Sequence, residues 1–323
     1  NCIDEYRMGA GKAVDVRVKD GHVEVRDYGR GIPLGKMVDA VSIMNTGGKY
    51  DSKAFKKSVG LNGVGVKAVN ALSSRFVVQS YRDGQSRRAE FVQGKLQNDS
   101  NVFDDPSDRG TYIYFVPDDT LFENYKYQDE IIETMLRNYA YLNTGLTINY
   151  NGKKILSKNG LLDLLNEDMT SEPLYPIIHL QGEDIEIAFT HSDQYGEEYY
   201  SFVNGQHTTQ GGTHQSAFRE AVGRTIKEFY NKNQELTDIR NGIVAAIALN
   251  VNEPVFESQT KIKLGSTQMS PDGESINKFV GDFIKQNVDN FMHIHPDVAE
   301  VMENKIKESE HERKAMAGVT KLA

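Results

Sequence analysis

Gly60-Leu61-Asn62-Gly63-Val64-Gly65-Val66-Lys67 sets three glycines directly ahead of an apolar run with helical spacing, Val64 to Leu72. Glycine lets a backbone come close to a ligand. The start of a helix presents free N–H groups that favour an anion. The segment therefore reads as a cradle for phosphate. Two common phosphate motifs do not fit it. Gly60 and Gly65 have the spacing of a P-loop, but Val66-Lys67 stands where Lys-Ser/Thr is required. Gly63-x-Gly65-x-x-Ala68 has the spacing of a dinucleotide fingerprint. The residues ahead of it, Asp51-Ser-Lys-Ala-Phe-Lys-Lys-Ser58, form a polar, lysine-bearing loop, where that motif needs a buried strand.

Upstream lies Asp27-Tyr28-Gly29-Arg30-Gly31-Ile32-Pro33, directly behind a predicted strand. A carboxylate at a strand end can accept a hydrogen bond from an exocyclic amine, and the two glycines open the backbone to a ligand. An ordinary turn is the other reading. The strand before it belongs to a hairpin. Val14, Val16 and Val18 alternate with Asp15, Arg17 and Lys19; Asp20-Gly21 turns the chain; Val23 and Val25 alternate with Glu24 and Arg26. Helices are expected over Leu34–Met44, Val64–Leu72 and around Ile131, Ile132, Met135, Leu136 and Tyr139. Strands are expected over Arg75–Tyr81, Ala89–Val92 and Tyr112–Val116. An early antiparallel hairpin with helices interspersed predicts a layered α+β fold. Further on, Ile185–Phe189, Tyr199–Val203 and Gly242–Val251 read as strands. His214–Tyr230, Ser275–Asn287 and Pro296–Ala317 read as helices, the last opened by Pro296 and Asp297.

The chain has 323 residues, enough for about two domains. Its 38% hydrophobic and 26% charged composition is that of a folded globular chain. Thirty-seven basic and 46 acidic side chains give a net charge of −9, unevenly spread: residues 1–165 carry +2 and residues 166–323 carry −11. The shift coincides with the polar stretch Asn166-Glu-Asp-Met-Thr-Ser-Glu-Pro173, which places a boundary between domains 1–170 and 171–323. The acidic balance argues against a bulk DNA-coating surface and leaves room for a local basic lining. Cys2 is the single cysteine, so no intrachain disulfide forms, which suits a reducing, cytoplasmic setting. The longest apolar stretch, Gly242–Leu249, is too short to span a membrane. The first residue is Asn1, which predicts that the chain begins inside a longer protein.

Taken in order, Asn1-Cys-Ile-Asp-Glu5, Asp27-x-Gly29-x-Gly31, Gly60-Leu-Asn-Gly-Val-Gly65 and Gly110-Thr111 resemble the nucleotide-binding fold shared by gyrase, Hsp90, histidine kinases and MutL, the GHKL superfamily. Phe202-Val-Asn-Gly205, Gly211-Gly-Thr-His214 and Gln259-Thr-Lys261 resemble the transducer of the ATPase subunit of bacterial type IIA topoisomerases. The resemblance covers essentially the whole chain. It implies a GHKL (Bergerat) ATP-binding α/β sandwich followed by a ribosomal-S5-like α+β transducer. Asn62, where gyrase B carries His, together with Met44-Asn-Thr-Gly-Gly48, favours the branch of the topoisomerase IV ATPase subunit over gyrase B.

By this resemblance Asn1 is the Mg2+ ligand, Asp27 the adenine-binding carboxylate, and Gly31, Ile32 and Pro33 the wall beside the base, with Gly29 in the same turn. Arg30 and Arg88 stand at the pocket rim, and Lys49 and Phe55 in a lid. Gly60, Leu61, Asn62, Gly63, Val64, Gly65 and Val66 wrap the phosphates. Thr111 supports Asp27 through water. Gln259 and Lys261 reach the γ-phosphate from the second domain, where a lysine stabilises charge on the transferred phosphoryl group. The family's general base is a glutamate four residues ahead of the Mg2+ asparagine. That position lies upstream of Asn1, and Glu5 stands on the wrong side of the metal ligand to replace it. The residues as they stand are expected to bind ATP weakly and to turn it over poorly.

The implied activity is an ATP-driven clamp that closes as a homodimer through an N-terminal gate, captures a double-stranded DNA segment and works with a DNA-cleaving partner subunit of the gyrase A type in a heterotetramer, with no membrane partner. An Hsp90- or MutL-like ATPase shares the Asp27 and glycine segments but lacks the Gly-Gly-Thr-His and Gln-Thr-Lys pair in this form. A nicotinamide-binding oxidoreductase using Gly63-x-Gly65 lacks the preceding strand. His214 is read as a structural helix-start histidine, His293-Ile-His295 as no zinc site, and the last helix as a solvated strut.

Overall fold

The structure is a computed structural model and describes residues 1–44, 46 and 63–320. The chain divides into two compact units, residues 1–160 and 161–323.

In the first unit, helix α1 (Cys2–Arg7) precedes strands β1 (Ala13–Lys19) and β2 (His22–Asp27). These two form the expected antiparallel hairpin, with Val16 opposite Val25. Asp20 (φ +50°) and Gly21 (φ +80°) supply the two left-handed residues that a two-residue turn requires. A 3-10 turn (Leu34–Lys36) leads into α2 (Met37–Ser42), and α3 spans Gly65–Ala71. Proline at position 33 holds an extended ψ of 123°, so the predicted helix over 34–44 opens with this tighter turn. Strands β3 (Ser73–Arg82), β4 (Gln85–Val92), β5 (Lys95–Asp99), β6 (Phe103–Asp104) and β7 (Gly110–Pro117) follow, then α4 (Asp129–Leu142), β8 (Thr147–Tyr150) and β9 (Lys153–Ile155).

Among the described residues these nine strands form one sheet, ordered β5-β4-β3-β7-β2-β1-β8-β9, with β6 on β4. Among the described strands of this sheet only β1–β8 is a parallel pair. Alternate residues of a strand point to opposite faces, and the registers put Val16, Val25, Ile113, Val78 and Ala89 on one face. Helices α1 and α4 cover one end of that face, where Cys2, Ile3, Tyr6, Leu136 and Ala140 pack on Val14, Val16 and Ile148. At the other end Met37, Val41, Val66 and Val69, from α2 and α3, pack on Phe76, Val78, Ala89 and Phe91. Phe76 meets Phe91 edge-on at 6.0 Å. Each such fully buried side chain contributes about 1.5–3 kcal/mol. The C-terminal end of β2 and the start of β7 lie where the two clusters meet.

The second unit opens with α5 (Leu161–Asp168) and continues through β10 (Ile178–Gly182), β11 (Ile185–His191), β12 (Glu198–Val203), β13 (Gln206–His207), α6 (Thr213–Tyr230), α7 (Leu236–Arg240), β14 (Ile243–Leu249), α8 (Ile276–Ile294) and α9 (Pro296–Thr320). The sheet order is β10-β11-β14-β12-β13. Helix α5 packs on β11 and β14, and α6 packs on β12 and β14. This accounts for the unbroken apolar sequence of β14, the central strand, which has no solvent-facing side to mark with polar residues. Helix α8 runs past the predicted Asn287 because its buried stripe, Ile276, Val280, Ile284, Val288 and Met292, continues for two further turns. In α9 the burial ends at Ser309, and the helix beyond it is exposed. One contact anchors that outer part: the Arg313 guanidinium donates to both oxygens of buried Asp238 (2.9–3.1 Å). Among the described residues no helix is long and apolar enough to cross a membrane.

Candidate nucleotide site

The site is built around Asp27, the last residue of β2, which is 5% exposed. Its Oδ1 accepts the backbone N–H of Gly29 (2.9 Å) and of Thr111 (3.1 Å). Thr111 thus contacts Asp27 directly through its main chain. Two donors on one oxygen fix the carboxylate plane, and the Cys2 thiol is a further hydrogen-bond donor to the same carboxylate. Cys2 of α1 lies against this carboxylate; burial and the neighbouring Asp27 charge push its thiol up to about 12.

The glycines around Asp27 are held by close approach. A Cβ on Gly110 (φ +134°) would stand 2.0 Å from the Asp27 carbonyl oxygen, and one on Gly31 (φ +78°) 2.6 Å from the Tyr81 carbonyl oxygen. Gly29 is covered by the side chain of Glu5. Glu5 in turn takes the Arg30 backbone N–H (3.0 Å) and its guanidinium (2.9 and 3.1 Å). Arg30 is therefore fixed by a charge-assisted pair, with Glu5 as its anchor.

Ile32 is half-buried against the Met37–Phe91 cluster, and Pro33 is exposed. Asn1 is exposed at the N-cap of α1, and its carbonyl accepts the Glu5 N–H (3.2 Å). Gly63 (φ +57°) and Val64 lead into α3, which begins at Gly65 and sends Val66 into the core. Lys49, Phe55, Gly60, Leu61 and Asn62 lie outside the described residues.

Arg88 is not brought to Asp27. Residues 87 and 88 point to opposite faces of β4. Arg87 lies opposite Ser80, which lies opposite Thr111, on the Asp27 face. Arg88 lies on the other face, exposed, donating to Gln79 Oε1 (3.2 Å). The arginines on the Asp27 face are Arg82, which donates to the Gly31 carbonyl (2.9 Å), and Arg87, which donates to that of Leu34 (2.8 Å). Sequence reading missed both, because Arg82, Arg87 and Arg88 differ only in strand parity, which pairing decides. It also passed over Lys67, in the first turn of α3. Lys67 is 5% exposed, donates to the Thr46 carbonyl, and has its pKa lowered by burial. A buried ammonium beside a glycine turn favours an anionic ligand.

In the second unit, Ser258 to Lys261 forms a turn closed by the Lys261 N–H on the Ser258 carbonyl (3.0 Å), with exposed Gln259 and Thr260 at its tip. Lys261 itself is left-handed (φ +57°), an uncommon state for a residue with a Cβ. His214 is fully buried, with Nε2 on Thr208 Oγ1 (3.2 Å), and burial pulls it down to about 4. Its Nδ1 is buried with no hydrogen-bond partner among the described residues.

A family profile described as DNA gyrase B matches residues 152–320. The B subunit of DNA topoisomerase 4 from Borreliella burgdorferi is 43% identical over 326 residues, covering 100% of this chain and 53% of its own length. The B subunit of DNA gyrase from Campylobacter jejuni is 33% identical over 299 residues, covering 84% and 39%. The solved 43K ATPase domain of Thermus thermophilus gyrase B, in complex with an aminocoumarin, superposes with a TM-score of 0.72 at 25% identity, covering 100% of this chain and 90% of that one. The first unit thus has the GHKL sandwich and the chain the α+β architecture of the gyrase B ATPase region. The chain spans about half the length of the Borreliella relative. With profile, sequence and fold in agreement, this chain belongs to the family formed by the B subunits of DNA gyrase and topoisomerase IV.

Proposed function

We propose that this chain is the ATP-operated part of a type IIA DNA topoisomerase, in the branch of the topoisomerase IV B subunits. The observation that carries the reading is the buried Asp27 carboxylate at the end of β2, one oxygen held by two backbone donors, an acceptor of the kind an exocyclic amine requires. The higher identity to a topoisomerase IV subunit than to a gyrase subunit supports the branch.

In this reading the first unit binds nucleotide and the second, which opens at Leu161 and not at the expected residue 171, transduces its presence. Asp27 takes the adenine amine, and Ile32 and Pro33 flank the base. The turn Gly60–Val66 and the buried charge of Lys67 serve the phosphates, and Lys49 and Phe55 belong to a lid close to the nucleotide. Asn1 offers one amide oxygen at an exposed helix start. That suits Mg2+, a hard ion whose remaining ligands are phosphate oxygens and water; the ion supplies charge neutralisation there. Gln259 and Lys261, at the tip and close of their turn, meet the γ-phosphate.

Because the γ-phosphate lysine and the adenine carboxylate belong to different units, ATP has the means to favour one arrangement of the protein over another by differential affinity. Closure of two copies about a twofold axis then captures a DNA duplex, and strand passage uses the cleavage subunit. The setting is cytoplasmic.

Lys261→Ala, in the protein that carries this chain, is expected to abolish ATP hydrolysis while sparing most of the nucleotide binding. Hydrolysis that survives the substitution refutes the coupling. Decatenation rather than supercoiling, after addition of the cleavage partner, separates topoisomerase IV from gyrase.

A further inference from the structure

Four successive main-chain carbonyls beside Asp27 are each taken by a donor. Gly31 accepts from Arg82 Nη1 (2.9 Å), Ile32 from Ser80 Oγ (2.6 Å), Pro33 from the Lys36 N–H (2.9 Å) and Leu34 from Arg87 Nη1 (2.8 Å). Three of these donors are side chains on one face of the β3–β4 hairpin. The segment they hold is the one assigned above as the wall beside the base. It has no backbone donor at Pro33, so side chains reaching its carbonyls are the means left to fix it.

Arg87 differs from the other two in being braced from behind. Its Nε and Nη2 donate to Asp99 Oδ1 (3.1 Å) and Oδ2 (2.6 Å) on β5, and Asp99 Oδ1 also accepts the Asn101 N–H (2.9 Å). A guanidinium is planar and rigid. Fixing two nitrogens on a carboxylate therefore sets the direction of the third, and that one meets Leu34. The pair is largely shielded, with side chains 18% and 21% exposed, so solvent screens it only partly.

Resting on the nucleotide reading above, we propose that Arg87, braced by Asp99, is a positioning residue for the nucleobase: it sets the Ile32–Pro33–Leu34 wall through the Leu34 carbonyl. Its effect falls on the base and not on the phosphates, which are assigned to the Gly60–Val66 turn. A lysine places one point charge where the fork makes three directed bonds, so Arg87→Lys restores the wall only in part.

The test measures ATP affinity by calorimetry on the purified chain, and inorganic tripolyphosphate as a competitor of bound ATP. Arg87→Ala is expected to weaken ATP about tenfold and to leave tripolyphosphate within about twofold, from the loss of one charge-assisted bond. Arg87→Lys and Asp99→Asn fall between it and the parent, and Arg88→Ala matches the parent. Thermal melting checks that each variant is folded; if Arg87→Ala is not, Arg87→Lys and Asp99→Asn carry the comparison. ATP affinity unchanged in Arg87→Ala, equal weakening in Arg88→Ala, or a parallel loss of ATP and tripolyphosphate overturns the proposal. A parent chain that binds neither ligand overturns the nucleotide reading and this role with it.

Discussion

Asp27→Asn is the sharpest perturbation of the site. The amide is nearly isosteric, so its oxygen can keep the Gly29 and Thr111 N–H donors now held at 2.9 and 3.1 Å. Its nitrogen must then face the ligand, where an exocyclic amine also needs to donate. The variant loses a hydrogen bond to a charged acceptor, about 1.5–3 kcal/mol, and leaves two donors opposed in a buried position, about 1–3 kcal/mol more. With Asp27 5% exposed, water relieves little of this. The sum is a 10²- to 10⁴-fold loss of ATP affinity, at about 1.4 kcal/mol per factor of ten. Calorimetric titration of parent and variant with ATP reads it directly. Thermal melting controls for folding, which the retained N–H contacts should preserve. ATP binding within about threefold of the parent, by a folded variant, refutes the assignment of Asp27 to the base.

Two further outcomes follow from the geometry. Gly110→Ala sets a Cβ 2.0 Å from the Asp27 carbonyl oxygen at φ +134°; backbone strain and overpacking together cost about 2–6 kcal/mol, to be read from the urea midpoint, with ATP affinity falling alongside. The second concerns pH. Burial holds His191 and His214 neutral, each pulled from 6.5 to about 4. The unfolded chain therefore binds the protons that the folded chain refuses. Their contribution is fully present above pH 6.5 and is lost as pH falls towards 4, by about 3 kcal/mol for each histidine. Urea unfolding at pH 7 and pH 4.5 measures this, and His191→Gln should flatten the dependence by about half; an unchanged slope in that variant refutes the attribution. Carboxylates held low, such as Asp99 beside Arg87, act below this window.

Much of this protein is decided locally. Alternating valines and Asp20-Gly21 specify the β1–β2 hairpin, because side-chain period and turn chemistry are properties of a few adjacent residues. The same holds for α4, α6 and the start of α9, whose apolar spacing and opening residues stand in the sequence. The short strands β5, β6, β8, β9, β10 and β13 escape such reading. They are two to five residues long and exist because a partner strand lies alongside, as β8 does beside β1 from more than a hundred residues away. Asp27, Gly29, Gly31 and Thr111 announce the site for a local reason too: they sit in two tight segments whose glycines the backbone demands.

What tertiary structure alone decides is which neighbours complete the site. Arg87 and Arg88 are adjacent and chemically identical, and one pairing step of β4 against β3 sends the first to the wall beside Asp27 and the second to the opposite face. In the sequence Lys67 stands only as a residue that breaks a P-loop pattern, and the fold buries its charge. Residue type and spacing are inscribed in the chain; face, burial and partner belong to register and packing, which join residues far apart along it.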